Sequence, residues 1–203
     1  MKKLISLVAF CLATLVMNAQ LPTALGDFIL GSSTSSVEET LNAKGLNKVE
    51  IGLFRESTYA YGDTDVPEEG AKIKISFPLS NPYIYAGEKW QYVNIYFYQG
   101  KVFKIEFRTG SWYEGGGSAS MIKDCQNTYK TLEKKMNSQY AKYRKKGINE
   151  RTESGEGRIV LNYSDGKNTI AVEHTYYEYE EVSVSLSLFD TALDKKACPW
   201  IYE

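Results

Sequence analysis

His174 is the only histidine in the 203-residue chain, so a nucleophilic relay or a multi-histidine metal site has almost nothing to work with. It stands in an alternating apolar stretch, two residues after Val172 and beside the apolar positions of a strand containing Val184, which marks it as a hydrogen-bonded histidine of a half-buried sheet. No HExxH, GxSxG, CxxC or phosphate-loop pattern occurs, and Gly115 to Gly117 reads as a flexible joint because no Lys-Ser/Thr pair follows it. Acidic side chains gather twice: Asp63, Asp65, Glu68 and Glu69 in one polar stretch, and Glu178, Glu180 and Glu181 among tyrosines in another. The first set offers oxygens of the kind calcium takes, without the glycine and distal glutamate of an EF-hand. Glycoside hydrolysis needs two carboxylates with one pKa raised, and no pair here is singled out by an apolar neighbourhood. The expectation is a non-enzymatic protein with no metal and no cofactor. The alternative is a carboxylate-based hydrolase acting on glycan or peptidoglycan.

Residues 1–19 read as an export signal: Lys2 and Lys3 precede an apolar run from Leu4 to Met17, and the small residue Ala19 follows. The run is shorter than the roughly 20 residues of a membrane-spanning helix, and no comparable run follows it. The expected mature chain begins near Gln20 and folds in the periplasm or outside the cell. It loses Lys2 and Lys3 of the 24 basic residues and keeps all 25 acidic ones, a balance that gives no case for nucleic acid as a partner. Phe10 stands where a lipoprotein signal needs a small residue, which argues against lipid attachment at Cys11. In an oxidising compartment the two remaining cysteines, Cys125 and Cys198, are expected to form one disulfide, worth roughly 4 kcal/mol in the chain-entropy model.

The elements that must position these groups alternate between helix and strand. Several N-cap oxygens in Ser33 to Ser36, with capping-box spacing at Ser35 and Glu38, open a short helix that carries Val37 and Leu41 on one face and stops at Gly45. Strands are expected near 49–54 and 71–77, separated by a polar loop, and 78–88 reads as a second loop. A hairpin over 90–108 turns at Tyr98-Gln99-Gly100, pairing Ile95 with Phe103 and Val93 with Ile105. That ribbon sends Val93, Ile95, Phe97, Phe103, Ile105 and Phe107 to the core and Trp90, Tyr92, Asn94, Tyr96, Lys104, Glu106 and Arg108 the other way. A long amphipathic helix is expected over 119–146, with Cys125, Tyr129, Leu132 and Met136 on its apolar stripe. Nine Lys or Arg against three acids between Met121 and Arg151 make its other face basic, which reads as a solvated surface or, in the alternative, a contact for an anionic partner or membrane. A second hairpin turns at Asp165-Gly166, and a third strand alternates Val182, Val184, Leu186 and Leu188 with serines, one face buried and the other wet. Most of the 16 tyrosines fall in these strand-like segments, where an aromatic body with a polar tip suits a half-exposed sheet face.

The fold class expected is α+β, with two α-β-β-β repeats whose helices pack on antiparallel sheet. Residues 20–113 form the first repeat, with a long insert at 55–90, and residues 114–203 form the second with a C-terminal tail. Gly31-Ser32-Ser33, followed at intervals by Val37, Leu41 and Gly45, resembles the opening of the outer-membrane assembly lipoprotein family SmpA/BamE. A tandem pair of such units is similar to the β-lactamase inhibitor protein fold. The resemblance implies a protein partner in the cell envelope, held against an aromatic sheet face. Trp90, Tyr92, Tyr96 and Arg108 would be its contact residues, since aromatics and arginine dominate such surfaces.

Overall fold

The computed structural model describes residues 20–45, 50–53, 70–78, 80–111, 118–178 and 181–199. In chain order the elements are β1 (Ala24–Leu25), β2 (Phe28–Ile29), α1 (Thr34–Ala43), β3 (Glu50–Leu53), β4 (Gly70–Ser76), β5 (Tyr83–Tyr85), β6 (Glu88–Trp90), β7 (Tyr92–Tyr98) and β8 (Lys101–Ser111). They continue with α2 (Ala119–Tyr140), β9 (Arg144–Asn149), β10 (Gly157–Ser164), β11 (Asn168–Tyr177), β12 (Glu181–Asp190) and α3 (Thr191–Ala197). Eight of the strands form one antiparallel sheet in the order β3-β4-β7-β8-β12-β11-β10-β9. The protein is therefore α+β with an antiparallel sheet, as the alternation of apolar residues implies. The expected export signal, residues 1–19, lies outside the described residues. Among those described, no helix is long and apolar enough to cross a membrane.

Strand alternation sorts the side chains into two faces. On one face Ile73, Val93, Ile95, Phe107, Leu186 and Val172 pack with the buried stripe of α2, Cys125, Tyr129, Leu132 and Met136, and with Val37 and Leu41 of α1. Ser33 caps α1 by accepting a hydrogen bond from Ser36 N, and Ser118 caps α2 by accepting one from Met121 N. The opposite face is mostly polar. At one end it is covered by α3, where Ala197 and Cys198 pack with Tyr96 and Phe103.

Several boundaries and registers differ from the sequence-based expectation for identifiable reasons. The β7–β8 turn has two residues, Gln99 and Gly100, both with positive φ, and Phe103 is an extra residue on β8. The bulge resets the register so that Ile95 opposes Ile105 and Val93 opposes Phe107, and it sends Phe103 to the α3 side. Pairing of β10 with β11 closes at Ser164 opposite Thr169, leaving 165–168 outside that pairing where a two-residue turn at Asp165-Gly166 was expected, because the Asp165 carboxylate accepts from the backbone N–H groups of Lys167 and Asn168. That shifts pairing by two residues, which preserves the faces. The expected loop at 78–88 contains the β5–β6 hairpin, turned at Ala86 and Gly87, both with positive φ. Helix α2 ends at Tyr140, and its expected last residues are instead a 3-10 turn, Ala141–Tyr143, and the start of the edge strand β9, whose lysines and arginine suit a strand paired on one side only. The serines of β12 are as buried as its aliphatic residues, because β12 is a central strand.

The expected disulfide is not formed. Cys125 and Cys198 are both buried and are not bonded to each other, because the sheet lies between them. Cys125 belongs to the α2 core, with Sγ 4.0 Å from the Thr109 carbonyl, whereas Cys198 follows α3 in the cluster on the other face. Burial, with a smaller contribution from Asp124, pushes the Cys125 thiol up to about 12, which removes the thiolate needed for disulfide exchange. Residues 20–203, unfolded after purification without reductant, should therefore titrate as two thiols per chain. None would contradict this arrangement.

Candidate functional site

The polar face is built from three rows of side chains running across β4, β7 and β8. Lys72, Tyr96 and Lys104 stand opposite one another in the first, Lys74, Asn94 and Glu106 in the second, and Ser76, Tyr92 and Arg108 in the third. On β12, Ser187 continues the second row and Ser185 the third, and beyond Ser185 lies Glu173 of β11. These residue types alternate with the apolar ones that face α2, so the pattern that builds the core also delivers the polar rows.

Cations and tyrosine rings interleave on this face. The Lys72 ammonium lies 4.9 Å and the Lys104 ammonium 5.1 Å from the centroid of the same ring, that of Tyr96, while the Lys74 ammonium lies 4.7 Å from the ring of Tyr92. Glu106 is the carboxylate of the middle row. Its Oε1 accepts from Asn94 Nδ2 at 2.8 Å, and its Oε2 lies 3.8 Å from Lys104 Nζ. Burial alone would raise the Glu106 pKa, but the charges of Lys104 and Arg108 and the Asn94 hydrogen bond hold it below the ordinary value. Lys104 is held above its ordinary value: burial opposes its charge, and Glu106 and then Asp194 outweigh burial. Lys72 moves the other way, because burial and the neighbouring Lys74, Lys104 and Arg108 outweigh Glu106.

Arg108 is half-buried and pairs with Glu181, and it also donates to Ser183 Oγ at 3.2 Å. At the far side of the face, Arg158 donates to both oxygens of Glu173, at 2.6 and 3.3 Å. Among the described residues, neither Lys72 nor Lys74 lies within ion-pair distance of a carboxylate. Asn94 Oδ1 is buried and, among the described residues, has no donor.

Of the four expected contact residues, Tyr92, Tyr96 and Arg108 lie on this face and Trp90 does not. The chain leaves the sheet at Gln91, so Trp90 belongs to the β5–β6 hairpin, is 0 % exposed and packs in the α2 core against Phe107. Its indole N–H donates to the Tyr85 carbonyl at 3.1 Å. Tyr96 is itself buried, its ring committed to the cluster under α3. Lys72 and Lys74 were not among the expected contacts, although their alternation with Ile73 and Ile75 was visible. What the residues alone lacked was the pairing of β4 with β7.

Elsewhere, a polar groove of about 590 Å³ lies between β6 and the start of α2, lined by Glu88, Gln91, Ser118, Asp124, Cys125 and Thr128. Its groups are largely engaged with one another: Gln91 Oε1 accepts from Thr109 Oγ1 and Gly110 N, and Thr128 donates to Glu88. His174 is fully buried against the Tyr129 ring, with Nδ1 3.0 Å from the Arg151 guanidinium. Because guanidinium only donates, Nδ1 accepts and the ring proton sits on Nε2. Burial, and then the Arg151 charge, push its pKa down to about 4. Asp63, Asp65, Glu68, Glu69 and Glu180 lie outside the described residues, and among those described no three His, Cys, Asp or Glu side chains converge as a metal site.

No protein-family model, curated protein or solved structure matches this chain.

The two shifted groups give separable pH windows. A buried neutral His174 supports the fold above its unfolded pKa near 6.5, and that support is lost as pH falls towards about 4. The shift corresponds to about 3 kcal/mol, so urea unfolding should show wild type losing stability relative to His174→Gln across that window. Glu106, with its pKa depressed, stabilises above the unfolded carboxyl value of about 4.3 and ceases to do so below that. The gap between wild type and Glu106→Gln should therefore close only under more acidic conditions. A pH-independent gap for both variants would contradict these assignments.

Proposed function

We propose that this is an exported, non-enzymatic binding protein of the bacterial cell envelope, working in the periplasm or outside the cell, that receives a protein partner on the polar sheet face around Tyr92, Tyr96 and Arg108. The observation that carries this reading is the set of three rows: tyrosine rings and ammonium groups held in register on adjacent strands of one sheet. A face built this way is pre-organised, so little side-chain freedom remains to be lost on association. Tyr96 and Asn94 form its fixed base, while Tyr92, Lys74 and Arg108 are its accessible part.

We read the architecture as a duplication. The segment from α1 through β3, β4, β7 and β8 and the segment from α2 through β9, β10, β11 and β12 are each a helix followed by four strands in meander order. The two meanders meet through their last strands, β8 and β12. That symmetry supports the likeness to a tandem SmpA/BamE-type unit and to the β-lactamase inhibitor protein plan. The hydrolase alternative rests on carboxylates of the 55–90 insert or the 176–181 tip, of which Asp65 and Glu180 lie outside the described residues.

The test is capture from envelope extract on immobilised residues 20–203. Tyr92→Ala should reduce retention of a specifically captured protein at least about tenfold, roughly the 1.4 kcal/mol of one good aromatic contact. Lys130→Gln/Lys134→Gln on exposed α2 positions should leave retention unchanged, and thermal melts should show both variants folded. Equal retention by Tyr92→Ala and wild type would overturn the reading.

A further inference from the structure

We infer that the segment received by this face is an acidic stretch of protein, with carboxylates at alternate positions that meet Lys72 and Lys74. The inference rests on the binding reading above and deepens it by naming the chemistry of the partner.

Charge is segregated in this chain. Its formal net charge is −1, yet the rows on β4, β7 and β8 carry Lys72, Lys74, Lys104 and Arg108 against the single carboxylate of Glu106. Glu106 is already engaged by Asn94 and Lys104, and Arg108 by Glu181. Lys72 and Lys74 have ring faces but, among the described residues, no carboxylate. A ring attracts an ammonium more weakly than a carboxylate does, and Tyr96 is shared between two ammonium groups. Burial first, and then the like charges of Lys74, Lys104 and Arg108, hold Lys72 below its ordinary pKa, so the cations on this face repel one another. A carboxylate docking here would relieve that repulsion.

Geometry narrows the ligand further. Lys72 and Lys74 are two residues apart on one strand, so their stems leave the sheet about 7 Å apart. That is the spacing of alternate side chains on an extended peptide laid along β4. An extended acidic polypeptide holds successive carboxylates at that fixed spacing. The phosphates of a lipid surface satisfy the lysines but keep no fixed spacing.

The experiment is fluorescence anisotropy of residues 20–203 with a short labelled peptide of alternating Glu and Ser, beside a Lys-Ser peptide of equal length and phosphatidylglycerol vesicles as competitor. Wild type should bind the Glu-Ser peptide, weaken with added salt and ignore the Lys-Ser peptide. Lys72→Gln/Lys74→Gln should weaken binding at least about tenfold, while Lys130→Gln/Lys134→Gln changes nothing. Equal binding by the Lys72/Lys74 variant, loss in the α2 variant, or displacement of the peptide by the vesicles would each overturn the inference. The envelope capture separates the two levels. Loss with Tyr92→Ala but not with Lys72→Gln/Lys74→Gln keeps the binding face and rejects the acidic partner. Unchanged capture with both rejects the face itself.

Discussion

The pairing of β8 with β12 is the constraint on which the rest of the molecule depends. These strands are in register from Val182 opposite Ser111 to Phe189 opposite Lys104, and through them two four-stranded meanders become one eight-stranded sheet. The approach is close enough that a Cβ on Gly110 would lie 2.1 Å from the Val182 carbonyl oxygen. Gly110 also has a φ of +139°, so glycine is required there on both counts. The joint places Leu186 against Phe107 and Leu188 against Ile105 beneath α2, and by the same alternation puts Ser185 beside Arg108 and Ser187 beside Glu106 on the opposite side. Core and candidate site are two faces of one set of hydrogen bonds.

The polar face is unusual in being both charged and largely covered. Ser183, Ser185, Ser187, Asn94 and Glu106 are all buried, so their polar atoms depend on one another more than on water. Asn94 donates to Glu106, and Ser183 joins Arg108 to Glu181. Tyr92, Lys72 and Lys74 stand at the rim of this network, the two ammonium groups over tyrosine rings. Burial also governs two groups on the other face: the His174 ring is neutral and enclosed, and the Cys125 thiol remains protonated.

Much of this was legible in the residues, and the exceptions share a cause. The two-faced alternation of β4, β8 and β12, the buried stripe of α2, the capped start of α1 and the polar direction of Tyr92, Tyr96 and Arg108 all follow from local periodicity. What periodicity could not reveal was anything that breaks it. The Phe103 bulge changes the partner of Ile95, and the departure of the chain from the sheet at Gln91 turns Trp90 inward. The basic edge strand β9 has no apolar alternation to betray it, and β5 and β6 hide in a stretch containing two prolines. The two cysteines fit a disulfide by count and by the expected compartment; only the placement of the sheet between them decides otherwise.

The most direct test of the central claim is a lysine footprint. Residues 20–203 would be acetylated briefly with and without envelope extract, and modification at Lys72, Lys74, Lys123, Lys130 and Lys134 compared by mass spectrometry. The account predicts that the extract protects Lys72 and Lys74 while the exposed lysines of α2 react as before. Protection confined to the α2 lysines, or no protection at Lys72 and Lys74, would contradict it.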